Sequence, residues 1–140
     1  MLTDETGHLQ SQADPSAPIV MIDWQVILGY LDGFEPEYRA EEIEHLIGLF
    51  TRHTPDLLEN LHAAVVAADA NLVRRYAHSL VGNSGTVGAK LMAQAARELE
   101  RHAINGTLET APEQVVRLRQ MFAEAAAMLP AWQTALHLAP

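Results

Sequence analysis

The spacing of the apolar residues constrains this chain more than any other feature. Ile43, Leu46, Ile47 and Phe50 fall at i, i+3, i+4 and i+7, one face of a helix that starts after Pro36. The stripe resumes with Leu57, Leu58, Leu61 and Val65 and fades at Asp69. Pro55 lies inside this run, lacks an N–H and crowds the carbonyl of Thr51. No Gly or Asn accompanies it to reverse the chain, so the sequence predicts a kink rather than a stop. A further helix is predicted from Ala70 to Gly85, capped by Asp69, with Leu72, Val73, Tyr76, Ala77 and Leu80 inward. A Gly-rich break, Asn83 to Gly88, leads to a helix with Met92, Ala95, Ala96, Leu99 and Ala103 on one face. Asn105-Gly106 ends it as a C-cap. Thr110-Ala111-Pro112-Glu113 reads as a capping box that opens a last helix. Its seam is Val115, Leu118, Phe122, Ala125 and Leu129, with Trp132 and Leu136 in phase beyond Pro130.

Ahead of these lies a short helix that ends by Gly33. Asp23 is its N-cap, and Ile22 with Ile27 have the spacing of a hydrophobic staple. This helix carries Val26, Ile27, Tyr30 and Leu31. Four long amphipathic helices with short links predict an all-α fold, an antiparallel four-helix bundle with a short additional N-terminal helix. Composition agrees, because Ala and Leu abound while only 6% of residues are aromatic. The 140 residues suit one domain, assigned to 21–138. Residues 1–18 are polar, aperiodic and Pro-containing, and 1–20 read as a flexible tail or linker.

Several function classes are disfavoured at once. There is no cysteine, which removes thiolate metal sites and thiol nucleophiles. Nine basic against eighteen acidic residues give a net charge of −9, and Lys90 is the only lysine. That balance argues against nucleic acid or an anionic membrane as partner. No apolar run reaches the roughly 18 residues of a membrane span, and Met1–Gln10 lacks the regions of a signal peptide. A cytoplasmic location is expected.

The helix after Asp69 carries the chemical information. At about 100° per residue, Leu80 in the core puts His78 on the opposite, outer face. Asn71, Arg74, Arg75, Gly82 and Gly85 share that face. A glycine inside an exposed helix costs roughly 1 kcal/mol against alanine, and two stand in register with one imidazole. They either begin to unravel the helix or clear side chains from around His78. An exposed imidazole without a partner titrates near neutrality and is nucleophilic when neutral. No Ser nucleophile with an orienting carboxylate is evident, so a hydrolytic triad has little support. Attack on an activated phosphoryl group needs only access and nearby positive charge, which Arg74 and Arg75 could supply.

Ala77-His78-Ser79-Leu80-Val81-Gly82, followed by Asn83-Ser84-Gly85-Thr86-Val87-Gly88-Ala89, resembles the signature A-H-x-L-K-G-x-x-x-x-x-G-A of histidine-containing phosphotransfer (HPt) domains. Leu99-Glu100 matches a later L-E of that family. Ile22-Asp23, the Phe50 region and Thr54-Pro55-Asp56-Leu57-Leu58 look like the preceding helices of such domains, so the resemblance spans about Ile22 to Leu129. It implies that His78 accepts and donates the phosphoryl group within a two-component phosphorelay, that Gly82 gives access, and that Ala77 and Leu80 pack beneath. It further implies a carrier without independent catalysis and without a cofactor of its own, the Mg²⁺ belonging to the partner receiver domain. Partners would be receivers of response regulators or of a hybrid sensor kinase, met by a monomer. Val81 departs from the family's usual lysine. Arg74, Arg75 or Lys90 would have to replace its charge, unless Val81, with Gly82 and Gly85, forms an apolar docking contact.

Two rival readings stand beside this one. The first is a bundle that binds receivers without carrying phosphate. The second is a metal-binding bundle built on Glu42-x-x-His45 and Glu59-x-x-His62, the i, i+3 spacing of di-iron proteins. In those proteins the two motifs face each other from different helices. Here 17 residues of one helix separate them, about 25 Å at 1.5 Å per residue.

Overall fold

A computed structural model describes residues 22–138, without the side chains of Trp24, Trp132 and 135–138. The predicted tail therefore falls outside the described residues, as do the inward positions proposed for Trp132 and Leu136. Five helices follow in order: α1 (Trp24–Leu31), α2 (Pro36–Val66), α3 (Ala70–Thr86), α4 (Lys90–Ile104) and α5 (Ala111–Leu138). Each of α2 to α5 packs on its two neighbours in a closed ring, α2 on α3, α3 on α4, α4 on α5 and α5 on α2, with no diagonal pair among the described residues. With short links this is an up-down-up-down antiparallel bundle. α1 lies across α2 and α3.

The predicted stripes meet at the centre. Ile43, Phe50, Leu58 and Leu61 of α2, Val73, Ala77 and Leu80 of α3, Met92, Ala96 and Leu99 of α4, and Val115, Leu118, Ala125 and Leu129 of α5 are buried in one cluster. The Phe50 and Phe122 rings meet at 5.3 Å with their planes tilted by 51°, a geometry that favours aromatic pairs by about 1 kcal/mol beyond area alone. Ile22 and Ile27 both enter the core, as the staple requires, while Tyr30 is turned outward.

Helix ends follow their caps. Asp23 accepts from the Gln25 N–H and Asp69 from the Leu72 N–H. At the end of α4, Thr107 donates to the His102 carbonyl and Gly106 to that of Ala103, with Gly106 at φ +75°. This is a Schellman closure, and Asn105-Gly106 is the C-cap the sequence announces. The same paired bonds end α2, from Asp69 to Ala64 and from Ala68 to Val65. There Ala68 takes the left-handed position at φ 55°.

Two local expectations are corrected, at the Gly-rich segment and at the Thr110 cap, while α2 runs through Pro55 as one helix, with no stop there, as predicted. Thr51, four residues earlier, turns its hydroxyl back to the Ile47 and Gly48 carbonyls. The Glu42/His45 and Glu59/His62 pairs thus stay on a single helix, and among the described residues no three His, Asp or Glu side chains gather to hold a metal. α3 continues through Asn83, Ser84 and Gly85 to Thr86, so the Gly-rich segment is mostly helix and the turn is only Val87–Ala89. Core burial of Ser84 and Val87 holds those last residues in place. Finally, the Thr110 hydroxyl donates to Gln114 Oε1 in place of the capping-box bond to Glu113.

Candidate functional site

His78 is the middle residue of α3, with Ala77 and Leu80 fully buried beneath it. Its side chain is 72% exposed. The imidazole is not without a partner, as the sequence suggested: Nδ1 lies 2.8 Å from Oε2 of Glu100, which α4 presents across the α3–α4 seam. A carboxylate only accepts, so Nδ1 carries the proton and donates. That bond fixes the tautomer and leaves the lone pair of Nε2 facing solvent. Glu100 is largely sheltered, with 18% of its side chain exposed. Leu99, its neighbour in sequence, is fully buried and anchors this stretch of α4.

The glycines on the same face have no architectural reason. A Cβ built at Gly82 or at Gly85 meets nothing within 4 Å beyond its own helix, and neither residue has a positive φ. Alanine would fit at both and favour the helix. Gly82 is one turn beyond His78 and exposed, and Gly85 is half-buried. What the two positions provide is clear space above the imidazole. Arg74 and Arg75 are exposed one turn before His78. Val81 is half-buried and packs against the core. Lys90 is corrected as a substitute charge: its Nζ pairs with Asp23 Oδ2 at 2.7 Å. It opens α4 ten residues before Glu100, about 15 Å along the axis. That hydrogen bond, with the one from the Gln25 backbone, holds the Asp23 carboxyl below its ordinary range. The contribution of the pair is therefore present at neutral pH and lost as pH falls through that lowered value.

An outward imidazole nitrogen, a carboxylate that sets its tautomer, and a bare helix surface around it make a nucleophile that a large partner can approach. The model of the Hpt domain matches residues 45–128, which contain His78, Gly82, Gly88 and Glu100. The chain belongs to the Hpt domain family. Among solved structures it is similar to histidine-containing phosphotransfer protein B from Pseudomonas aeruginosa PAO1, at 29% identity and a TM-score of 0.71. That match covers 81% of this chain and 95% of the other. No curated protein matches the chain. As an Hpt domain it serves histidine phosphotransfer in a two-component phosphorelay, the carrier's part, and Hpt domains meet receiver domains there. Among the described residues no helix is long and apolar enough to cross a membrane.

For this Hpt domain the outward phase of His78 was legible from helix periodicity, whereas Glu100 was legible only as a motif match. Its partnership with His78 spans 22 residues and two helices, and no periodicity reports such a pairing. One signal was available: a glutamate beside a core leucine on the helix that must pack next to α3.

Proposed function

We propose that His78 is the phosphoryl carrier, that Nε2 is the reacting atom, and that Glu100 is a positioning residue. The observation that carries this reading is the 2.8 Å bond from Nδ1 to Glu100 on an otherwise open imidazole. The Nε2 lone pair attacks the phosphorus of a receiver's aspartyl phosphate in line. The N–P bond forms as the P–O bond to the aspartate breaks, and that electron pair leaves with the carboxylate. The ring becomes cationic, its Nδ1 proton stays in place, and the Glu100 carboxylate balances the charge. The reverse step hands the group to the aspartate of another receiver. Mg²⁺ and the acidic cluster belong to the receiver in this scheme, so the chain needs no cofactor and turns nothing over alone. It acts as a monomer, with receivers of response regulators or of a hybrid kinase as its partners.

The reading is tested by incubating the protein with a phosphorylated receiver and locating the label, which should be acid-labile and base-stable. Receiver binding with no label on the chain would restore the rival reading of a non-phosphorylated binding module. Glu100→Ala should slow transfer at least about tenfold, the kinetic equivalent of the roughly 1.5 kcal/mol at the lower end of what a hydrogen bond to a charged group contributes. In ¹⁵N NMR of the imidazole, the Nδ1-protonated tautomer should dominate in the native protein and lose that dominance in the variant. An unchanged tautomer ratio would remove Glu100 from the site. Gly82→Leu should hold or raise stability by up to about 1 kcal/mol while transfer falls, since the branched side chain fills the space one turn from His78. Normal transfer in that variant would make Gly82 a mere helix residue.

A further inference from the structure

Charge in this molecule is sharply divided. Residues 70–104, which form α3, α4 and their link, hold five of the nine basic residues and two of the eighteen acidic ones. That segment is +3 and the rest of the chain −12. α3 contains no Asp or Glu, whereas α2 has six acidic residues against two arginines. Arg74, Arg75, Arg97 and Arg101 are all exposed. None of the four has an ion-pair or side-chain hydrogen-bond partner among the described residues. Of the two acidic residues, Glu100 is engaged by His78, and Glu98 points about 160° away from it around α4.

Three of the four, Arg74, Arg75 and Arg101, also lie to one side of His78, and Arg97 lies to the other. Arg74 and Arg75 precede His78 by three or four residues, about 5–6 Å along α3. Arg97 and Arg101 bracket Glu100 on α4. Because α3 and α4 are antiparallel, Arg101 lies on the same side of His78 as Arg74 and Arg75. In the other direction, Ser79 to Thr86 contains no charged residue, and Gly82 and Gly85 leave that surface bare.

We propose that this face docks a receiver whose rim beside the phosphorylated aspartate is acidic on one side, and that the four arginines steer and orient it. The proposal rests on His78 as the carrier and adds the chemistry by which partners are chosen. Opposite charges attract within a screening length of about 10 Å at 0.1 M salt, and such fields raise encounter rates by about 10- to 1,000-fold. An acidic rim is repelled by the α2 face and drawn to α3–α4, so the field orients the encounter as well as hastening it. A receiver with a basic rim is rejected by the same arginines.

The test compares transfer rates at low substrate from a panel of phosphorylated receivers of known rim charge, at 25 and 500 mM NaCl. For acidic-rim receivers, transfer to the native protein should slow at least tenfold at the higher salt. A variant with Arg74, Arg75, Arg97 and Arg101 all changed to Gln should be at least tenfold slower at low salt, nearly insensitive to salt, and equal to the native protein at 500 mM. Circular dichroism establishes that it is folded. Arg52→Gln with Arg117→Gln, on α2 and α5, should change nothing. Reversing charge at Arg74 and Arg97 together with the receiver's rim should restore the rate. Retention of the native salt slope by the quadruple variant overturns the proposal while leaving His78 as the carrier. Self-association of the native protein at low salt, lost in that variant, overturns it in favour of a second copy seated through its acidic α2 face. Absence of label from every receiver at both salts overturns the carrier reading together with it.

Discussion

His78→Gln is expected to abolish phosphoryl transfer from every receiver while leaving the helix content and the unfolding midpoint unchanged. The side chain is 72% exposed, and its one hydrogen bond is to the Glu100 carboxylate. Removing a surface hydrogen bond costs at most about 1 kcal/mol when the partner regains water. The loss of function has no such ceiling, because an amide nitrogen has no free lone pair with which to form the N–P bond. The measurement is label per mole of protein after incubation with a phosphorylated receiver, alongside a urea unfolding curve. Persistent label in the variant would move the carrier to another of the seven histidines. Label lost together with the fold would show that the side chain supports the bundle rather than the chemistry.

The largest effect on stability is expected at Gly88. Its φ is +77°, and a Cβ there would overlap the backbone carbonyl of Asp23. That contact exists because the Asp23 N–H donates to the Gly88 carbonyl at 2.7 Å and Ile22 pairs with Ala89. Together they pin the entry to α1 against the α3–α4 turn. Gly88→Ala adds the left-handed penalty of about 1–2 kcal/mol to a backbone collision that only separation of the two segments relieves. A loss on the order of 3 kcal/mol follows, lowering the melting temperature by about 10 °C for a domain of this size. Gly106→Ala is the matched control: φ is +75°, but a Cβ there meets nothing within 4 Å, so only the conformational penalty applies. Equal losses at the two positions would mean that the contact with Asp23 contributes nothing.

How far the sequence reads ahead of the structure depends on the range of the interaction. Caps at Asp23 and Asp69, the Schellman glycine Gly106, the core stripes and the outward phase of His78 all follow from neighbours within one or two turns. Those determinants are local, so the helices, their inward faces and the exposed imidazole were fixed by the sequence alone. The run of Asn83 to Thr86 misleads because its weak propensity is overridden by packing, with Ser84 buried in the seam. Lys90 misleads because its partner, Asp23, is 67 positions away in the chain. The pairing of His78 with Glu100, the seat of Gly88 under Asp23, and the gathering of four arginines around His78 were decided only by tertiary structure. The physical reason is common to all three. Each depends on which helices become neighbours and at what height they cross, and that is set by how the whole core packs rather than by any window of sequence.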